Sequence, residues 1–328
     1  MKKIYILMAA VLLLTGCHGK GSKANLLPNV SGKAGEIVVV IDRDSWEGAV
    51  GSSLREILAG ECPYLAQREP LFTLANVPPS SFNNMFKVHR NIIILNVDPQ
   101  QVKEGMVYRQ DKWARPQSVA QINAFDLDGA VRVIKENEAI LPEYFEQAER
   151  NRIIANAKLY EEASLPPVVK EMTGGVMHFP NGFRLKKATG DFLWISDEKQ
   201  YVDHHVMIYR YPVPDGDPFS AEAALEKRNE VMKANVPGMF ENTYMTTSAA
   251  FPITTAFKKY HGIDFLEMRG MWEVYNDFMG GPFVSHSFYS KDGKDILVIE
   301  GSVYAPKYDK RKLLREVESL LYSFEWTK

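Results

Sequence analysis

Apolar residues in this chain first run together, then alternate, then recur every three to four positions, and each rhythm implies a different element. Residues 4–14 form one apolar run behind Lys2 and Lys3. The run is shorter than the about 20 residues that cross a bilayer, so it reads as the core of a signal peptide. The next pattern starts at Glu36. Residues 36–42 make a compact strand, and residues 44–47 resemble a capping box that opens a helix. Trp46, Val50, Leu54 and Leu58 would be its buried stripe. Residues 71–77 and 91–97 give two more strands, with a short helix capped at Ser80 or Ser81 between them. The last strand is apolar enough to be buried on both faces. This β-α-β-α-β order predicts an α/β layer with right-handed crossovers. Residues 106–113 alternate as an edge strand, and residues 118–163 are dominated by helical spacing interrupted at Pro142. Val119, Ile122, Val131 and Ile134 serve the first of these helices, and Phe145, Ala148, Ala155 and Leu159 the second.

Pro166-Pro167 reads as a linker, and the pattern beyond it becomes strand-rich with frequent turns. Strands fit residues 176–179, 183–187, 192–196, 201–211, 244–248, 263–274, 283–289 and 295–304, with Asn181-Gly182 as a hairpin turn. Helices fit residues 221–234 and a terminal segment opened by Pro306, where Leu313, Leu314, Val317, Leu320, Leu321 and Phe324 share a face. The predicted fold is therefore an α/β domain over residues 36–165, containing the helical segment, followed by an α+β domain over 168–328. In the second domain an antiparallel sheet packs on two helices. This order of elements also suggests the PsbP-like α/β/α sandwich, by analogy alone.

Leu14-Thr15-Gly16-Cys17 has the form of a lipoprotein cleavage site. Residues 1–16 are then a signal peptide cut between Gly16 and Cys17, and residues 17–35 a tether lipidated on Cys17. A lipid chain anchors firmly because each buried methylene contributes about 0.8 kcal/mol. The partner this implies is a membrane. The chain carries 39 basic and 41 acidic side chains, and losing Lys2 and Lys3 makes it slightly more acidic. No basic excess is available for a phosphate backbone, so nucleic acid is not an expected partner. Cys62 is the one other cysteine. With no partner for a disulfide and no histidine close in sequence, it reads as a buried, inert thiol.

Several segments look familiar together. They are the lipobox, Gly35-Glu36-Ile37-Val38-Val39-Val40, Trp46-Glu47-Gly48, Arg269-Gly270-Met271-Trp272-Glu273 and Gly280-Gly281-Pro282-Phe283. The chain resembles a family of Bacteroidetes lipoproteins known only as a domain of unknown function. The resemblance implies an envelope location and no activity. It also implies that surface-sorted members carry acidic residues after the lipidated cysteine, whereas here the sequence is His18-Gly19-Lys20-Gly21-Ser22-Lys23. The expected address is the periplasmic face of the outer membrane.

Candidate chemistry is sparse. Asp42-Arg43-Asp44 follows a strand, as the nucleophile of haloacid-dehalogenase-like phosphatases does, but Asp44 is also a helix cap. Asp126-Leu127-Asp128-Gly129 matches that family's letters, yet lies in the helical pattern rather than after an apolar strand. His204-His205 suggests a metal pair, but neighbours on a strand face opposite ways, leaving only Asp203 and His205 together. On the strand 263–274, Glu267, Arg269 and Glu273 share one face, which His286 and Glu300 from the following strands would approach. A cleft there would suit carboxylate acid/base chemistry, while a solvated face of cross-strand ion pairs explains the same alternation. Tyr201, Tyr209, Tyr211, Trp272, Tyr275, Phe278 and Phe283 supply core, with some left to line a groove for a glycan, peptide or protein. Walker, Rossmann, nucleophile-elbow and His-Glu-x-x-His motifs are missing, and no cofactor is implied. The expected role is binding or scaffolding in the cell envelope, with a carboxylate hydrolase of glycans or phosphoesters as the rival.

Overall fold

The computed structural model describes residues 26–327. The segment expected to be a signal peptide, Cys17 and the start of the expected tether lie outside the described residues.

The amino-terminal half is an α/β layer. Strands β1 (Glu36–Val40), β2 (Thr73–Val77), β3 (Asn91–Val97), β4 (Gly105–Gln110) and β5 (Ser118–Ala124) form a sheet in the order β2-β1-β3-β5-β4. All neighbours are parallel except the edge strand β4, which runs antiparallel to β5. Its helices are α1 (Arg43–Glu47), α2 (Ala49–Leu58), α3 (Asn84–Lys87), α4 (Leu127–Glu136) and α5 (Ile140–Leu159). One face of the sheet packs Ile37 and Val39 against Val50, Leu54 and Leu58 of α2, Val133 and Ile134 of α4, and Phe145 of α5. The other face buries Val38, Val40, Ile92 and Val119 under Phe82, Phe86 and Trp113. Strands covered on both sides are continuously apolar, as β1 and β3 are.

Three readings of this half need correction, the first being the short helix α3, which is capped by Asn83 accepting from the Met85 amide at 3.0 Å and not by Ser80 or Ser81. Residues 118–124 are the strand β5, so Val119 and Ile122 belong to the sheet and not to a helix. The reason is that an interior parallel strand lacks strict alternation, which removes the signal that separates it from a helix. The first helix is capped by Asp42, whose carboxylate accepts from the Ser45 amide at 2.9 Å, and not by Asp44.

The carboxyl-terminal half adds helices α6 (Leu165–Thr173), α7 (Ala221–Asn235) and α8 (Arg311–Leu321). Its strands are β6 (Gly175–Val176), β7 (Arg184–Ala188), β8 (Phe192–Lys199), β9 (Val202–Pro212), β10 (Met245–Thr247), β11 (Thr254–Tyr260), β12 (Ile263–Val274), β13 (Gly280–Tyr289), β14 (Asp295–Tyr304) and β15 (Glu325–Trp326). Eight of them form an antiparallel sheet in the order β10-β12-β13-β14-β9-β8-β7, with β11 also paired to β12. The β6–β15 pair stands apart. Pro166 and Pro167 are no extended linker. They occupy the first turn of α6, where proline is tolerated, and Gly174 ends that helix at φ 75°.

Both faces of the large sheet are covered. Leu266, Met268, Trp272 and Val274 pack beneath α7 with Ala224 and Met232. On the opposite face Val284, Leu297 and Ile299 meet Leu314, Val317, Leu320 and Leu321 of α8, each contributing about 1.5–3 kcal/mol by full burial. That same core takes in Ala157 of α5 and Leu165 and Val169 of α6, so α8 is wedged between the halves. Glu69, only 7 % exposed, completes the wedge. Its carboxylate accepts from the backbone amides of Lys310 at 2.6 Å and Arg311 at 3.0 Å, capping α8 from the amino-terminal half. None of the described helices is long and apolar enough to cross a membrane, which leaves β-barrels unaddressed.

Candidate functional site

The face of β12 that carries Glu267 is neither a cleft nor a solvated surface. Glu267 is buried against α8 and accepts from Arg269 Nε at 2.7 Å and from Lys258 Nζ at 2.9 Å. Arg269 also holds Glu318 of α8. Arg269 and Lys258 pull the Glu267 carboxyl down to about 2 against the desolvation of burial, which keeps it ionised. His286 lies opposite Glu267 in register, 3.8 Å away, and burial pushes its ring down to about 3.

The other nominated carboxylates are elsewhere. His286 pairs with Ile299, so Glu300 points to the opposite face of the sheet. There Arg228 of α7 grips it through Nε at 2.8 Å and Nη2 at 2.7 Å, with both side chains fully buried. Glu273 is six residues from Glu267 along one strand, about 20 Å at a rise of about 3.3 Å per residue. Paired glycosidase carboxylates stand about 5–9.5 Å apart. The set Glu267, Glu273, Glu300 and His286 therefore does not converge on one reacting centre.

Asp42 and Asp126 both follow strands of the parallel sheet, since β5 precedes Asp126. The context denied to the second motif is present. Each carboxylate is nevertheless a cap: Asp126 accepts from the Gly129 amide at 2.7 Å, and the Ser45 amide holds Asp42 below the usual carboxylate range. His204 and His205 face opposite ways as expected, but both are buried. His205 accepts from Trp194 Nε1 at 3.2 Å. No group of three or more His, Cys, Asp or Glu side chains among the described residues is arranged for a metal, so Asp203 and His205 gain no further ligand. Of the aromatic set, Tyr209, Trp272 and Phe283 are core, while Tyr201, Tyr275 and Phe278 are exposed.

The arrangement with unspent chemistry lies at the seam between the halves. A cleft of about 460 Å³ opens between α5 and α8, which sits within the usual size range for small-molecule sites. Glu149 of α5 forms its inner wall at 0 % exposure. It accepts from Asn91 Nδ2 at 2.7 Å and Arg152 Nη1 at 3.1 Å, and Arg90 Nε stands 3.3 Å away without hydrogen-bond alignment. Arg152 is fixed in turn by the carbonyls of Arg90 and Pro116. Across the cleft, His204 is 5 % exposed and 3.7 Å from Glu316, and burial pushes its ring down to about 4.

Five buried polar atoms on this wall have no hydrogen-bond partner: Arg90 Nε, Glu149 Oε2, both ring nitrogens of His204, and Arg315 Nη1. Buried polar groups are nearly always satisfied, so such a concentration marks where water or a ligand completes the network. The two guanidinium nitrogens donate, the carboxylate oxygen accepts, and a neutral imidazole offers one of each. Sequence reasoning missed these residues. The available signal was Glu149 four positions after Phe145 and eight after Leu141, a charge on the buried stripe of α5.

Comparison with known proteins follows the same division of the chain. Residues 162–323 match the model of a domain of unknown function, DUF4837, and residues 30–158 match that of a second, DUF8532. No curated protein matches the chain. Among solved structures it is similar to the Saccharomyces cerevisiae Ran-binding protein Mog1p, at 7 % identity over 47 % of this chain and 90 % of that one, with a TM-score of 0.31. It is also similar to LpqN, involved in cell envelope biogenesis of Mycobacterium tuberculosis, at 12 % identity over 44 % and 78 % with a TM-score of 0.27. A Bacteroides thetaiotaomicron crystal structure gives 10 % identity over 48 % and 47 % with a TM-score of 0.27. At these scores the likenesses assign no activity. The chain thus carries two adjoining matches to domain families of unknown function, which meet between α5 and α6.

Proposed function

We propose that this is a cell-envelope binding protein, lipid-anchored through Cys17 on the periplasmic face of the outer membrane, whose cleft between α5 and α8 takes a hydroxyl-rich ligand such as a glycan fragment. The observation that carries this reading is the mixed set of unpartnered donors and acceptors on the cleft wall. A sugar hydroxyl both donates and accepts, so one class of ligand complements Arg90, Glu149 and His204 together. A hydrolase reading has less support, because Glu267 and Glu300 are already held by arginine and lysine partners.

The test is isothermal titration of the full chain with a panel of mono- and disaccharides, compared with the Glu149→Gln and His204→Phe variants. Binding by the native chain that falls at least tenfold in either variant is the expected result. Sugar hydrolysis abolished by Glu267→Gln, or no sugar binding at millimolar concentration, overturns the reading. Anchoring is checked separately. Cys17→Ser should move the protein out of the detergent phase, and protease added to unbroken cells should leave the native protein intact.

A further inference from the structure

On the other side of α8 from the cleft, a second pocket of about 240 Å³ lies beside Cys62. That volume falls below the about 300–1,000 Å³ of sites for drug-sized ligands, and suits a small charged head. Five cations line it: Arg150 from α5, Lys258 and Arg269 from β11 and β12, and Arg311 and Arg315 from α8.

Three carboxylates answer them. Glu267 holds Lys258, Glu267 and Glu318 share Arg269, and Glu146 takes Arg315 through Nε at 2.8 Å. One of the other two cations is met only by a largely exposed carboxylate, and one by none. Arg150 pairs with Glu143 at 3.4 Å, whose side chain is 64 % exposed, and donates to Gln147 Oε1 at 2.8 Å. Arg311 forms no ion pair among the described residues and donates instead to the Pro70 carbonyl and the Thr73 hydroxyl. The nearby Glu69 carboxylate is occupied by the backbone amides of α8. Arg150 is itself 8 % exposed, and its guanidinium lies 3.7 Å over the Tyr322 ring.

One buried atom here lacks a partner, Arg311 Nε, while Arg315, whose free Nη1 belongs to the cleft wall, is 7 % exposed as a whole. That nitrogen of Arg311 can only donate. Burial, and then the neighbouring Arg315, draw the Arg311 guanidinium down from its ordinary value against the opposing pull of Glu69 and Glu146. The contrast with the α5–α8 cleft is chemical. That wall mixes donors with acceptors, whereas here the unspent atom is a donor and the local charge is positive.

We propose that this pocket is an oxyanion site, taking the phosphoryl or carboxylate head of a small ligand between Arg150, Arg311 and Lys258. Arginine forks bind such heads with two parallel N–H···O bonds, and an anion there neutralises the charge of Arg311 that no carboxylate answers. The site stands independently of glycan binding in the cleft.

Cys62 lines the pocket and serves as the local reporter, read by peptide mass after N-ethylmaleimide labelling of the full chain. Inorganic phosphate and succinate are the two probes, each matched in ionic strength with sodium chloride. At least one should slow Cys62 labelling threefold or more at millimolar concentration. Protection by phosphate alone assigns a phosphoryl head, and by succinate alone a carboxylate. Arg311→Gln should raise the concentration for half-protection at least tenfold. Because Arg311 also holds the Pro70 carbonyl, Arg150→Gln is the second variant, with the same expected shift. Labelling that neither anion slows beyond sodium chloride, or protection at full strength in both variants, overturns the assignment.

Discussion

Beneath α7, Arg228 and Glu300 are both fully buried and satisfy each other through two hydrogen bonds, with Thr247 taking a third at 2.7 Å and the Phe283 ring lying 3.8 Å from the guanidinium. Beneath α8 the same sheet buries Glu267 and His286 beside the half-buried pair of Arg269 and Glu318, and around the helix Arg90, Glu149, Arg311 and Arg315 retain unpartnered atoms. One face has used its buried charge within itself. The other holds charge in excess of its partners, next to two pockets. Buried charges left incomplete are costly, so their concentration at one seam, against the neutral hydroxyls of Ser285 and Ser302 left unpartnered on the α7 face, is a mark of use rather than of packing.

The largest expected effect breaks the closed face. Arg228→Met leaves Glu300 buried without a partner and should cost about 3–5 kcal/mol in urea unfolding. Replacing both residues by methionine should recover most of that, since an apolar pair of similar volume is often neutral. A single variant that costs less than about 1 kcal/mol would remove the contrast.

Acid sharpens the comparison next. Burial holds His204 and His205 neutral to about 4 and His286 to about 3, whereas an unfolded chain protonates histidine near 6.5. Between pH 6.5 and 4 the unfolded state therefore binds more protons, and unfolding free energy must fall as pH falls through that window. The full effect is on the order of 3 kcal/mol per histidine. Urea titrations at pH 7 and pH 5 measure it, and His286→Phe should flatten its share of the slope. Stability that stays level over this range would contradict the burial of all three rings.

Glu69→Gln comes third. It keeps one acceptor at the start of α8 and loses the charge, for a cost of about 1 kcal/mol. Amide exchange at Lys310 and Arg311 should quicken while that of α7 is unchanged. Smallest is Arg43→Ala, which removes an exposed pair with Glu47 and should move the melting point by less than the equivalent of about 0.5 kcal/mol.

Much of the fold was legible in the sequence. The bounds of β3, β12 and β14 match the periodicity, and the two helices on the antiparallel sheet were expected at 221–234 and, from its apolar stripe, in the terminal segment that is α8. The strand β5 was not legible, because burial on both faces erases alternation. β11 was missed because it is a largely exposed strand with little apolar signal. The site was hidden for a different reason. Glu149, Arg228 and Arg315 each sit on a buried helical stripe, between or beside apolar residues such as Ala224 and Met232 or Leu314 and Val317. Read as isolated charges they suggest surface, and only their position on the stripe signals an ion pair or a site. Cys62 was expected to be buried. It is partly exposed at a pocket, with burial still pushing its thiol up to about 11.

Glu69 and Lys310 are separated by 241 positions, yet one carboxylate completes the other's helix. Synthesis delivers Glu69 long before α8. Until that helix arrives, the core shared by α5, α6 and the large sheet lacks its closing layer, and no local contact can substitute for it. A premature stop codon anywhere before residue 311 therefore leaves more than a shortened tail. It leaves an open seam through the middle of the molecule, recognisable to proteases as an unfinished chain.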